Sequence, residues 1–568
     1  MCSCSYMSSL IRTMSSQKLQ LANYSSFAHL LQNGGDFESP AQRKELQDTI
    51  EKSTGRDIPA IEDEIQQSLT RIHKLEAMKD RIRATASQFQ ELLTPIPINR
   101  LPTEILVEIF LILRDTSKEY TTTITQGVWP LTHVSHKWRN ITVSLPKLWS
   151  HISIGEIEKP AKDQLQLLKT ALARSGSHPL HLEASLPCYI STGSNFDSWP
   201  LGSRASNSIP LWPTESQLSE AMIRVVVQHS DRWATANIHL MFADCLRPIH
   251  RRLSLLEKLI FWGDTYGSPA LFSVAPKLRD VEFLSADSST FRLPWKQLVR
   301  FHDSQCDLDV DPLPRYLQIL RKYPQLEDFG DDYDGKHEPV PHQSVTHHKL
   351  RAFLCSDPRL IRCLTLPSLQ NLHLRAQSIF SRSPELVLAA RELLNRSRCT
   401  SSLRILHLKS VVLDRNVFDL LESTNGLAEL NFYFRKWKTS NDAFMKRLIN
   451  RMSACRKSKK FDKQVLLPRL ESFTINIEKT FHYDISTCNI QCIDEKYVDM
   501  VEGRWNSPGN GISQLRVVKF ESYIPTTLSA LTNRCIQRMK EMRDEGLTMY
   551  IAASMSEDEE ESQVYVKS

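Results

Sequence analysis

"LQNLHL" (residues 369–374) and "LRILHL" (residues 403–408) share one pattern: an apolar residue, two variable residues, a second apolar residue and, two positions on, a third. Alternation at the end of the unit puts every other side chain on one face of a strand. Variants of the unit recur at 256–261, 278–283, 298–301, 326–329, 350–354, 427–432, 470–475 and 515–520, with first leucines 19 to 45 residues apart. Recurrence at that period signals repeats that stack to bury a common core.

The expectation is an irregular leucine-rich-repeat solenoid over residues 160–545, with insertions in its later units. An unrelated α/β domain with parallel strands would show similar apolar segments between helices, and spacing leaves both open. Upstream, "ALARSGSHPLHLEAS" (171–185) reads as a helix, a glycine stop and a strand at Leu180 and Leu182, and "RWATANIHLMF" (232–242) as a strand at Ile238 and Leu240. Stacked repeats present an extended face on which a protein can bind.

Bulk properties narrow the function. The 568 residues suit two to four domains, and 71 basic against 65 acidic residues give a net charge of +6, too slight for a dedicated nucleic-acid binder. No stretch reaches the apolar length of a membrane span, and the opening "MCSCSYMSSLIRTMSSQ" lacks a secretory signal's apolar core. Twelve scattered cysteines then read as reduced thiols of a soluble protein in the cytoplasm or nucleus.

Residues 1–56, rich in Ser, Gln and Asn, are expected to be mobile or weakly structured. A heptad pattern follows over 57–94, with Ile58, Ile65, Ile72, Lys79, Ala86 and Leu93 at a and Ile61, Ser68, Leu75, Ile82 and Phe89 at d. Asp57 and Pro59 suit its start, and Pro95 and Pro97 its end. Such a rod packs on its own domain or forms a homodimer through residues 58–93.

"NRLPTEILVEIFLIL" (99–113) starts a second helix at Pro102 and carries more apolar surface than one core uses. After a Thr-rich insert, Leu131, Val134 and Trp138 share a helical face, and Pro146 opens a turn closed by Leu148 and Trp149. On periodicity alone these residues read as the core of a larger domain.

The order "LPTEILVEIF" (101–110), "LTHVSHKWRNIT" (131–142), "LPKLW" (145–149) resembles the F-box, a three-helix module that docks on the Skp adaptor of cullin-RING ubiquitin ligases. The approach "ELLTPIPINRLPTEIL" (91–106) is similar to the layout of F-box-like proteins of mushroom-forming fungi. The resemblance implies an F-box-like module over 97–154 whose Leu101, Pro102, Ile105, Leu106, Ile109, Phe110, Val134, Trp138, Leu148 and Trp149 bind the Skp adaptor. It departs from the family in its long insert and in His136 and Lys137, where arginines are common.

No phosphate loop, nucleophile elbow or zinc-protease helix occurs. Cys488 with Cys492, and His337, His342, His347 and His348 near Asp331, Asp332 and Asp334, complete no metal pattern. The basic run 455–463 reads as a solvated loop, and 546–568 as a disordered acidic tail with Ser556 placed for an acidophilic kinase. The expected fold class is α + α/β, joining heptad helix, F-box-like module and solenoid. The expected function is a non-catalytic adaptor without cofactor or metal, linking the Skp adaptor and cullin scaffold to an unknown target. The alternative is an interaction scaffold whose F-box-like fold only caps the solenoid.

Overall fold

The computed structural model describes residues 39–93, 98, 101–116, 121–155, 163–186, 213–264, 270–284, 288–304, 311–333, 343–376, 383–453, 465–478, 488–506, 511–554 and 562–566. It divides into two compact units, Met1–Ile105 and Leu106–Ser568.

The first unit is helical from Pro40 to Leu93. Ser39 caps helix Pro40–Lys52 by accepting the Gln42 N–H at 3.4 Å, and Pro40 fills the first turn, where no N–H is needed. Of the segment expected to be mobile or weakly helical, residues 40–56 are helical, and residues 1–38 lie outside the described residues. A π-helical turn, Ser53–Asp57, leads into helix Ile58–Leu93. Pro59 cannot donate back to Gly55, and a wider turn accommodates the missing bond. The helix ends two residues before Pro95, as the restriction on residues preceding proline requires.

Helix Thr103–Thr116 spans the division between the units. Beyond it come the short helices Leu131–Val134 and His136–Ser144 and the 3-10 turn Pro146–Trp149. Ser135 separates the first two by accepting the Trp138 N–H at 3.2 Å.

The strands are β1 (His151–Ile154), β2 (Leu180–Leu186), β3 (Trp233–Phe242), β4 (Lys258–Asp264), β5 (Asp280–Leu284), β6 (Arg300–Ser304), β7 (Asp328–Asp331), β8 (Val345–Thr346), β9 (Ala352–Cys355), β10 (Leu364–Thr365), β11 (Asn371–Arg375), β12 (Ile405–Lys409), β13 (Glu429–Phe434), β14 (Ser472–Ile477), β15 (Cys488–Asn489), β16 (Val517–Thr527), β17 (Thr548–Ser554) and β18 (Ser562–Val566). Except for β8 with β10, which pair apart, and β15, which joins β16, they line up in chain order in one sheet. All pairs are parallel until β18, which closes antiparallel on β17. A doubly wound sheet reverses direction at a switch point. This one never does, so it is a linear stack of strand-and-connector repeats.

Every recurring unit lands in the same frame, with its strand beginning two residues after the first leucine. One inward row therefore runs Val281, Phe301, Phe329, Phe353, Leu372, Leu406, Leu430, Phe473, Val518 and Met549 from strand to strand. All ten are buried. Connecting helices, among them Ser383–Ser397 and Arg415–Ser423, pack against their successors.

Each end of the parallel stack meets a further segment. At the start, Thr121 of the Thr-rich insert donates its N–H to the Ser153 carbonyl at 2.8 Å, and its Oγ1 accepts the Ser153 N–H at 2.9 Å. At the end, the segment expected to be a disordered tail is corrected to β17 and β18 within 546–568. Met549, Ile551 and Ala553 are buried there and complete the stack, a two-residue alternation that the acidic run downstream obscured. Ser556 lies outside the described residues, as does the basic run 455–463.

Candidate protein-binding surfaces

The helical module after residue 105 builds its core from aromatic rings. Phe110 meets Trp138 at 4.7 Å between centroids, and Trp129 meets Trp149 edge-on at 4.9 Å. The Trp149 indole N–H donates to the Thr142 carbonyl at 2.7 Å, and Trp129 does the same to Thr121 at 2.8 Å. Arg114 ties helix Thr103–Thr116 to the closing turn by donating to the Lys147 carbonyl at 2.6 Å. Arg174, from the first connector helix, lies 4.6 Å from the Trp149 centroid, a cation–π contact in which burial lowers the guanidinium pKa.

This core divides the motif. Leu106, Phe110, Trp138, Leu148 and Trp149 are buried, Leu101 and Ile109 are half-buried, and Pro102, Ile105 and Val134 are exposed. Ile112 and Leu113 at the end of the opening helix and Val143 of the next are exposed as well. The buried members hold the helices together, and the exposed ones take no part in that core. Spacing alone did not reveal Trp129 or Arg174 as parts of this core, because their contacts cross from insert and connector.

Where the module meets the first strands lies a cleft of about 640 Å³, lined by Trp129, Trp149, His151, His181, Glu183 and Asn237 among others. From there the open face of the sheet carries outward side chains in rows. Lys258, Asp280, Arg300 and Asp328 stand side by side on β4 to β7 with alternating charge. Arg300 reaches Asp280 and Asp328 at 3.2 Å and Glu282 at 3.3 Å; burial opposes its charge, but the carboxylates prevail and raise its pKa. His302 receives Arg300 on Nδ1 at 3.2 Å and donates from Nε2 to Asp328 at 2.8 Å. Farther on, His373 stacks on His407 at 4.0 Å. Burial first, then the neighbouring His407, brings the His373 imidazole down to about 4.

On the inward side, a second row reads Phe261 and Phe283 at one end and Leu374, Leu408, Phe432 and Ile475 at the other, with Asp303, Asp331 and Cys355 between them. All three are buried. The Tyr316 hydroxyl donates to Asp303 at 3.2 Å, and the Cys355 thiol donates to Asp331 at 2.8 Å. Burial first and then the Asp357 charge push the Asp331 carboxyl up to about 8, and burial raises the Cys355 thiol well above its usual range. The signal was present in "LVRFHD", "LEDFGD" and "LRAFLC", where Asp or Cys stands at the unit's third apolar position.

Of the residues weighed for metal binding, His347 and Cys492 are held in other contacts. His347 accepts the Leu350 N–H on Nδ1 at 3.1 Å and faces the Tyr323 carbonyl with Nε2 at 3.3 Å. Cys492 is buried, and its backbone N–H, with that of Gln491, donates to Asp442 at 2.8 Å. His337, His342 and Asp334 lie outside the described residues. Among the described residues no three His, Cys, Asp or Glu side chains converge to hold a metal ion, and no helix is long and apolar enough to cross a membrane.

No protein-family model matches the chain, and no curated protein does. Among solved structures it is similar to a chain of a TLR13–ssRNA13 complex, at 14% identity and a TM-score of 0.26. The likeness covers 53% of this chain and 41% of that one. The fold stands on the strand order and register.

Proposed function

We propose that this chain is a substrate-recognition adaptor of an SCF-type ubiquitin ligase, with residues 97–154 binding the Skp adaptor, and through it the cullin scaffold, while the repeats capture a target protein. The observation that carries the reading is the division of the F-box-like motif into an aromatic core and exposed apolar residues, Val134 among them at 59% exposure. A standard interface needs about 800 Å² from each partner, more than these side chains supply without their neighbours. The chain catalyses nothing in this scheme. Tethering turns the encounter of target and charged conjugating enzyme into an intramolecular event at high effective concentration.

Full-length chain tests the reading better than a fragment, because Arg174 of the first connector packs on the module's Trp149. We expect wild type to retain the Skp adaptor in a pull-down, and Ile105→Glu with Val134→Glu, both at exposed positions, to lose at least tenfold in affinity at unchanged stability. A folded wild type that fails to bind would sink the ligase reading. The scaffold reading, in which the module only caps the first repeat, would then take its place, supported by Arg174 over Trp149 and Trp129 and by Thr121 on the edge of β1.

A further inference from the structure

Helix Ile58–Leu93 leaves its apolar stripe in solvent: Ile58, Ile65, Ile72, Leu75, Ile82 and Phe89 are each between 49% and 60% exposed. A stripe of that length on a single helix calls for a partner helix. We propose that the partner is the same helix of a second copy, in antiparallel register, with Ile72 of each chain opposite the partner's Leu75.

Three features of the seam select this arrangement over a parallel pair. In a parallel coiled coil like positions face like, so Lys79 would meet the partner's Lys79 inside the seam and Ser68 the partner's Ser68. The antiparallel register puts Lys79 against the partner's Ser68, which shares the polar positions within the same two layers and removes the repulsion. Size follows the same rule. Parallel pairing sets Ala86 on Ala86 and Phe89 on Phe89, one layer underfilled and the next crowded, whereas the antiparallel register sets Ala86 against Ile61 and Phe89 against Ile58.

Charge is the third. Glu62, Asp63 and Glu64 cluster in the N-terminal part of the helix, while Arg71, Lys74, Lys79, Arg81 and Arg83 outnumber Glu76 and Asp80 farther on. Antiparallel pairing lays the acidic end along the basic end and opposes the two helix dipoles. It brings Glu62 beside the partner's Arg83 at both ends, where parallel pairing would bring Glu62 beside the partner's Asp57. The inference is independent of the adaptor reading, since it uses none of the module's residues.

The test uses full-length chain in sedimentation equilibrium. Wild type is expected to dimerise reversibly. Glu62→Arg should weaken the dimer roughly tenfold, and Glu62→Arg with Arg83→Glu should restore it. A mixture of Ile72→Cys chains with Leu75→Cys chains should cross-link as the mixed pair. A wild type that stays monomeric at 100 micromolar overturns the proposal, as does a dimer in which Ile72→Cys cross-links to itself in preference to Leu75→Cys.

Discussion

At the scale of single residues, a buried carboxyl and a half-buried imidazole pull stability in opposite directions with pH. Asp331 ionises near 4 in the unfolded chain but near 8 in the fold, so the folded state binds a proton that the unfolded state has released. Its contribution is complete below about pH 4 and disappears by about pH 8. Asp331→Asn should flatten the stability profile between pH 5 and 8 by a few kcal/mol, read from urea denaturation; equal slopes for wild type and variant would refute the assignment. His373 behaves inversely. Its folded value of about 4 lies below the unfolded one of about 6.5, so its contribution is intact above pH 6.5 and drains away as pH falls toward 4. His373→Gln is expected to lose less stability than wild type between pH 6.5 and 4.5. Gly330 is constrained by space instead, because a Cβ there would sit 2.8 Å from the ring of His302, which Arg300 and Asp328 pin in place. Gly330→Ala should cost about 1–3 kcal/mol, most of it recovered when His302→Ala removes the ring.

At the scale of elements, the later insertions are held by a clamp that no local pattern announces. Arg504, on helix Glu495–Asn506, is fully buried and donates to the carbonyls of Met452 at 2.9 Å, Leu466 at 2.7 Å and Leu467 at 3.0 Å. Burial lowers its pKa to about 10. These bonds join the end of helix Thr439–Met452 to the turn that enters β14, where Leu467 adopts a left-handed φ of 53°. Arg504→Met should cost about 2–4 kcal/mol in urea denaturation, since several carbonyls lose charge-assisted donors. Arg504→Lys should recover only part, because an ammonium cannot span the same fork.

At the scale of the whole second unit, a stack of parallel strands has two ends, each exposing unpaired backbone groups that invite edge-to-edge association. Thr121 meets the first end and β18 the second. Truncation after residue 555 removes β18 and bares β17. Light scattering should then show concentration-dependent association while far-UV circular dichroism stays close to that of the full chain; a monodisperse truncated protein would show that the edge needs no cover.

The strands were legible because a two-residue alternation depends only on which face is buried, so "LRILHL" and its relatives fixed both the strand and its frame from local chemistry. The long helix was legible for the same reason at a period of seven. Ser39–Pro40 was a readable helix start that the polar composition around it masked. Tertiary structure alone decided which motif residues face inward, because Phe110 and Trp138 close on each other from separate helices and Trp149 is sealed by the ring of Trp129 and the guanidinium of Arg174. It also decided that Arg300 answers several carboxylates and that Arg504 reaches carbonyls 37 to 52 residues earlier in the chain. Periodicity records the environment of one element, whereas these contacts exist only once parallel strands bring distant segments to within hydrogen-bonding distance of each other.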